Sequence, residues 1–143
     1  MGLRRDAREA AVQFLYQVDT HKPEEIEPAL AEFWKQSDVK QNVRDFANDL
    51  LRGTLEKKTE IDAKITSLAD NWDFARLAMV DRNILRLALY EMLFRPEIPP
   101  VVSINEAIEI AKKFSTAESG KFVNGLLDRV KKELLRPARQ AAG

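Results

Sequence analysis

Val80-Asp81-Arg82-Asn83-Ile84-Leu85-Arg86-Leu87-Ala88-Leu89-Tyr90-Glu91-Met92-Leu93-Phe94 is the stretch on which the fold turns. Its apolar members, Val80, Ile84, Leu85, Leu87, Ala88, Leu89, Tyr90, Met92, Leu93 and Phe94, cover nearly every direction around a helix. A helix that is apolar all round has no face to offer water and must be enclosed by its neighbours. Residues 80–94 therefore read as the central helix of an all-helical domain.

The flanking sequence supplies the enclosing helices. Upstream, Ala7, Ala10, Ala11, Phe14, Leu15 and Val18 recur at the i, i+3, i+4, i+7 spacing of one amphipathic stripe, and His21-Lys22-Pro23 ends it. Ile26, Leu30, Phe33 and Trp34 mark a second helix over 26–36. Val43, Phe46, Ala47, Leu50, Leu51 and Leu55 mark a third over 39–57, with Gly53 as a tolerated weak point. Thr59-Glu60-Ile61-Asp62 begins another, carrying Ile61, Ile65 and Leu68, before the polar break Asp70-Asn71-Trp72-Asp73.

Downstream, Pro96, Pro99 and Pro100 make a rigid extended connection. Ser103-Ile104-Asn105-Glu106 and Ser115-Thr116-Ala117-Glu118 both have capping-box spacing and predict two helix starts. The last helix carries Phe122, Val123, Leu126, Leu127 and Val130, and Pro137 to Gly143 reads as a frayed tail. Apart from the Val101-Val102 pair, no run alternates with period two. The expectation is an all-α bundle of about seven helices, forming one domain over 1–143.

Catalysis finds little to work with. Without cysteine, and with His21 alone, the chain can build neither a cysteine-histidine zinc site nor a Ser-His or Cys-His nucleophile. Five glycines never reach dinucleotide or P-loop spacing, and Ser119-Gly120-Lys121 lacks the upstream glycine a P-loop needs. Glu106 and Glu109 lack the histidine of a carboxylate-bridged metal site and read as surface acids. No catalytic residue, metal or cofactor is expected. No stretch approaches the ~20 apolar residues of a membrane span, and the opening residues lack the apolar core of a signal peptide.

Charge is more telling by segment than in total. The chain has 23 Lys and Arg against 23 Asp and Glu, a formal net charge of zero. From Lys112 onward, however, eight basic residues face three acidic ones, a net +5, and the remainder is correspondingly acidic. Within that remainder Arg4, Arg5 and Arg8 crowd one side of the first helix, where like charges repel unless an anion collects them. Lys112-Lys113-Phe114, a Ser/Thr turn and Lys121-Phe122 form a second basic group. Lysines and helix-start amides can hold phosphates while an aromatic face stacks a base. The same residues serve equally as a solubilising end, as complements to a helix dipole, and as core aromatics.

Four stretches in this order and spacing add a further reading. They are Arg4-Arg5-Asp6-Ala7-Arg8-Glu9-Ala10-Ala11-Val12-Gln13-Phe14-Leu15-Tyr16, Asp81-Arg82-Asn83-Ile84-Leu85-Arg86-Leu87-Ala88-Leu89-Tyr90-Glu91, Ile104-Asn105-Glu106-Ala107-Ile108-Glu109-Ile110-Ala111-Lys112 and Lys121-Phe122-Val123-Asn124-Gly125-Leu126-Leu127-Asp128. With them the chain resembles the NusB family of bacterial transcription antitermination factors over nearly its whole length. Residues 20–70 match only as generic helices.

The resemblance implies two small helical sub-bundles and a cytoplasmic, non-catalytic RNA-binding role. The RNA would be the boxA element of ribosomal RNA leaders. The protein partner would be the small-subunit ribosomal protein NusE, within an RNA polymerase complex with other Nus factors. Residue by residue, it implies an RNA surface of Arg4, Arg5, Arg8, Lys112, Lys113, Phe114, Lys121 and Phe122, with Glu118 bordering the RNA and tuning affinity by repulsion. It implies a partner surface of Tyr16, Asp81, Arg82 and Leu85. Here the basic leader is short and Asp6 interrupts it, so the partner is expected to supply affinity. Two rival readings stand beside this one: the RNA-binding domain of a ribosomal RNA cytosine methyltransferase, and a homo-oligomeric scaffold that self-associates through an apolar face.

Overall fold

Helix α5, Met79–Phe94, is the axis of the molecule in a computed structural model that describes residues 3–68 and 77–142, with side chains to Leu134. The break expected at 70–73 lies outside the described residues. Around α5 stand α1 (Leu3–Gln17), α3 (Gln41–Glu56), α4 (Lys58–Leu68), α6 (Pro100–Phe114) and α7 (Ala117–Ala142), each in contact with it. Helix α2 (Ile26–Lys35) follows a single 3₁₀ turn at Pro23–Glu25. No strand occurs among the described residues.

The grouping follows the apolar stripes. Every predicted inward residue of α1, from Ala7 to Val18, is buried. Helix α1 packs on α3 and α5, while α6 and α7 pair with each other against α5. These are the two sub-bundles, and α5 belongs to both. Helix α2 is held by an edge-to-face contact of Phe33 with Phe14, ring centroids 5.3 Å apart. The Trp34 indole N–H also donates to Asn48 Oδ1 of α3 at 2.8 Å. Apart from Ile98, the described buried apolar side chains form one continuous cluster.

Enclosure of α5 also buries its polar residues: Asp81, Asn83, Arg86 and Glu91 lie inside with the apolar ones. A buried charge is tolerated only when paired and hydrogen-bonded. Arg86 forks onto Asp62 of α4 at 2.7 and 2.9 Å and also meets Asp19 at the end of α1. Glu91 takes two bonds from Arg8 of α1, both 2.8 Å, and a third from the Ser103 hydroxyl of α6 at 2.7 Å. These polar ties join α1, α4 and α6 to the same axis and fix their register.

Several local expectations are corrected. Helix α6 begins at Pro100, so the proline connection is shorter than expected and Val101-Val102 is helical. Pro at the first helical position costs no hydrogen bond, because that N–H has no partner in any helix. Ser103 is thus inside the first turn, its hydroxyl turned to Glu91 instead of capping. At α7 the cap lies one residue later than the spacing suggested: Thr116 Oγ1 accepts from the Ser119 N–H at 3.0 Å. Helix α7 also continues past Pro137 to Ala142, where the composition suggested fraying. Gly53 has a specific reason to be glycine, since a Cβ there would stand 2.1 Å from the Tyr90 ring.

Candidate nucleic-acid interface

Arg4, Arg5 and Arg8 occupy little more than one turn of α1, yet the fold gives them three different environments. Arg4 is exposed, its guanidinium 4.5 Å above the centre of the Phe46 ring of α3. Arg5 is half-buried and forks onto Glu106 of α6, with Nε to Oε1 at 2.9 Å and Nη2 to Oε2 at 2.8 Å. Hydrogen bonding and charge from Glu106 raise the Arg5 pKa, and the Arg5 bonds hold the Glu106 carboxyl below its ordinary range. Arg8 is 3% exposed and committed to Glu91. The three arginines therefore do not crowd one exposed side. Arg8 sits on the stripe that also buries Ala7 and Ala11, and it offers no surface for a phosphate.

A second tie aligns α1 with α6. Lys113 Nζ donates to Glu9 at 2.8 Å and stands 5.5 Å from the Phe114 ring centre. With Arg5–Glu106 one turn earlier on α1, this sets the start of α1 alongside α6 and brings Arg5 to the flank that carries Lys113, while Arg4 lies on the side of α1 that meets Phe46 of α3. Lys112 is exposed and holds Glu109 loosely at 3.5 Å. Its stem lies over Gly120, where a Cβ would come 3.8 Å from Lys112 Cγ. That approach places the end of α6 against the start of α7, with Lys121 exposed beside it. Phe114 and Phe122 are half-buried against the core, each with part of its surface accessible. Glu118 is exposed on the first turn of α7.

The residues expected to face a partner divide as well. Tyr16 is 47% exposed on α1, beyond the Glu9–Lys113 tie. Arg82 is half-buried and pairs with Asp19. Burial alone pushes the Asp19 carboxyl up, but hydrogen bonds and charge from Arg82 and Arg86 outweigh it and hold the pKa down. Asp81 is only 7% exposed. Leu85 is wholly buried in the core of α5, so it supports this surface from beneath and cannot contribute to it directly.

One junction connects the two sets. The Ser119 hydroxyl donates to Asp81 Oδ2 at 2.9 Å, lies 2.8 Å from the Ser115 hydroxyl, and accepts from Thr116 Oγ1 at 3.1 Å. The start of α5 is thereby fastened to the turn between the two lysine groups. An open cleft of about 310 Å³ lies there, lined by Leu77, Ala78, Asp81, Thr116, Glu118, Ser119 and Phe122. Sequence reasoning noted the Ser/Thr turn but missed Ser119 as its hub and Glu9 and Glu106 as the acids that order the cations. Among the described residues no group of three or more His, Asp or Glu is placed to hold a metal ion, and no helix is long and apolar enough to cross a membrane.

Comparison with known proteins places this architecture. The NusB family profile matches residues 5–132. The transcription antitermination protein NusB of Methylacidiphilum infernorum is 49% identical over 135 residues, 94% of each chain. That of Thermodesulfovibrio yellowstonii is 43% identical, over 91% of this chain and 92% of its own. Among solved structures, T. maritima NusB superposes with a TM-score of 0.81 at 43% identity, covering 91% of both chains. A crystal structure of antitermination factors NusB and NusE in complex with double-stranded RNA contains a chain with a TM-score of 0.76 at 29% identity, covering 93% of this chain and 98% of that one. With helix order, central helix and family profile in agreement, the chain belongs to the NusB family.

Proposed function

We propose that this chain is a non-catalytic adaptor in transcription antitermination. It binds boxA-type single-stranded leader RNA of ribosomal RNA operons together with the ribosomal protein NusE, and joins the RNA polymerase complex with other Nus factors. The observation that carries the reading is the line of exposed cations from the start of α1, across the end of α6, to the start of α7. Half-exposed aromatics lie among them and Glu118 borders them. Cations hold an RNA backbone without regard to sequence, and aromatic faces and base-edge contacts select single-stranded bases. Relatives sharing 43–49% identity carry the antitermination name, and a structural neighbour was solved with NusE and RNA. The RNA strip in this reading is Arg4, Arg5, Lys112, Lys113, Phe114, Lys121 and Phe122. Arg8 is its scaffold. Tyr16, Asp81 and Arg82 form the partner face, supported by Leu85 beneath.

The test is a titration of labelled boxA-type RNA with and without NusE over a range of salt. NusE is expected to tighten binding. Lys112→Ala with Lys113→Ala should weaken it several-fold and flatten the salt dependence by roughly 0.7 in log–log slope for each phosphate no longer neutralised. Unchanged affinity and slope in that double variant would refute the assignment. For the partner face, Tyr16→Asp should weaken heterodimer formation while circular dichroism stays helical; an undiminished heterodimer would remove Tyr16 from it.

A further inference from the structure

Two cations of the strip already hold anions. Arg5 of α1 forks onto Glu106 of α6 at 2.9 and 2.8 Å, and Lys113 of α6 donates to Glu9 of α1 at 2.8 Å. Each helix thus gives one acid and one base to the seam, base then acid along α1 and acid then base along α6. In both pairs the acid is the deeper member. The side chains of Glu106 and Glu9 are each 17% exposed, against 33% for Arg5 and 58% for Lys113. The Lys112–Glu109 pair differs: it lies within one turn of α6, at 3.5 Å, with both ends exposed. Hydrogen bonds from Arg5 hold the Glu106 carboxyl below its ordinary pKa against the upward push of burial, so the guanidinium is occupied by a full negative charge at neutral pH.

We propose that Glu9 and Glu106 are internal competitors of the RNA backbone, carboxylates that occupy two cations of the strip and must be displaced before a phosphate can take them. The inference rests on the RNA-binding reading given above and concerns how tightly that site binds. A carboxylate and a phosphate present similar pairs of oxygens to a guanidinium, and arginine meets either through two parallel N–H bonds. The fork that Glu106 fills is therefore the one a phosphate needs. Displacement moves the cation, not the acid: Arg5 and Lys113 carry their charge on long stems that reach the surface, whereas both acids are set in the α1–α6 seam. The freed carboxylates stay beside the bound RNA, where each loses its counter-charge and repels the backbone. Both effects weaken binding without regard to sequence, because phosphate contacts carry no base information. An indiscriminate polyanion is thereby held off, and base contacts and the protein partner have to supply the difference. Acids that instead oriented these cations toward RNA would act with the opposite sign: neutralising an orienting acid weakens binding, and neutralising a competitor tightens it.

The test is the affinity of the full chain with NusE for boxA-type RNA and for a single-stranded RNA of equal length and unrelated sequence. Glu106→Gln and Glu9→Gln should each tighten binding of both RNAs by about two- to fivefold, as far as a partly exposed ion pair can compete. In an Arg5→Ala background Glu106→Gln should change affinity little, and likewise Glu9→Gln in Lys113→Ala, because a competitor acts only through the cation it holds. Circular dichroism should stay helical throughout, and the Glu9–Lys113 arm decides alone if Glu106→Gln does not fold. Weaker or unchanged binding in the glutamine variants would overturn the proposal. So would a gain that persists without the cation, the mark of long-range repulsion alone, or one confined to boxA-type RNA, which would set the acids against bases. Arg5→Ala and Lys113→Ala separate the two failures. If they weaken RNA binding while the glutamine variants leave it unchanged, the strip stands and the competitors fall; if they too change nothing, these cations are no part of the strip and the reading of the site falls first.

Discussion

Arg4 and Arg8 are one helical turn apart on α1, with the same side chain and the same charge, and the fold uses them in opposite ways. Arg8 is sealed inside, its fork filled by Glu91, whose carboxylate also takes the Ser103 hydroxyl. Arg4 stands in water with only the Phe46 ring beneath it. Arg5 lies between the extremes, half-exposed and paired with Glu106. The difference teaches that a cluster of arginines in sequence need not be a cluster in space. Each turn of α1 has a face toward α5 and a face toward solvent, and the face decides whether an arginine ties helices together or remains available to a ligand.

The contrast is sharpest in the cost of removing each side chain. Arg8→Ala leaves Glu91 buried without its counter-charge and should destabilise the protein by about 3–5 kcal/mol, read from urea or thermal unfolding. Glu91→Ala should do the same from the other side. Replacing both partners by apolar residues, Arg8→Met with Glu91→Leu, should recover most of the loss, because a buried pair is worth little more than well-packed hydrophobes. RNA affinity per folded molecule should be unaffected by that double replacement. If it drops as far as in the lysine variants, Arg8 belongs to the RNA surface after all.

The middle member should show a middling effect. Arg5→Ala removes a bidentate pair at the edge of the α1–α6 contact and should cost about 0.2–1 kcal/mol, as partly exposed ion pairs do. Its signature is in acid. Arg5 holds the Glu106 carboxyl below its ordinary pKa, so the stabilisation is present at neutral pH and is lost as pH falls below about 4.3 through the folded-state value. Arg5→Ala should therefore flatten the acid side of the stability profile, and parallel profiles for parent and variant would contradict the coupling.

The helical order was legible because amphipathic stripes and the enclosed α5 are direct consequences of which residues avoid water. Helix starts were read less well. Capping-box spacing at Ser103 was a false signal, because Pro100 begins the helix and the Ser103 hydroxyl is drawn to Glu91, twelve residues away. Gly53 looked like a weak point because its reason, the Tyr90 ring pressed against it, comes from another helix. The site followed the same pattern. Lys112, Lys113 and Lys121 remain at the surface as their charge suggests, whereas the burial of Arg8 depends on Glu91, 83 residues away in the chain. Leu85 illustrates the same limit: a helix start can border an interface while its apolar member points wholly inward. Nothing in local sequence distinguishes an arginine awaiting a phosphate from one already holding a carboxylate.

Arg4 gives the smallest stability effect and the most diagnostic binding one. Its contact with Phe46 is exposed, so Arg4→Ala should change unfolding free energy by no more than about 0.5–1 kcal/mol. If the inside–outside division of α1 is right, the same substitution should weaken boxA-type RNA binding several-fold and lower the salt slope by roughly 0.7, the signature of one fewer phosphate neutralised on a single strand. Arg4→Lys separates charge from shape. A lysine keeps the charge and hence most of the slope, but lacks the planar fork that can lie on Phe46 and still meet an anion bidentately. Full recovery with lysine would mean that Arg4 acts as a point charge. Recovery of slope without affinity would mean that Phe46 orients its guanidinium for the RNA, so that α3 contributes to the interface without touching the ligand. An unchanged slope in Arg4→Ala would take Arg4 out of the strip and leave Arg5 as the one contribution of α1 to it.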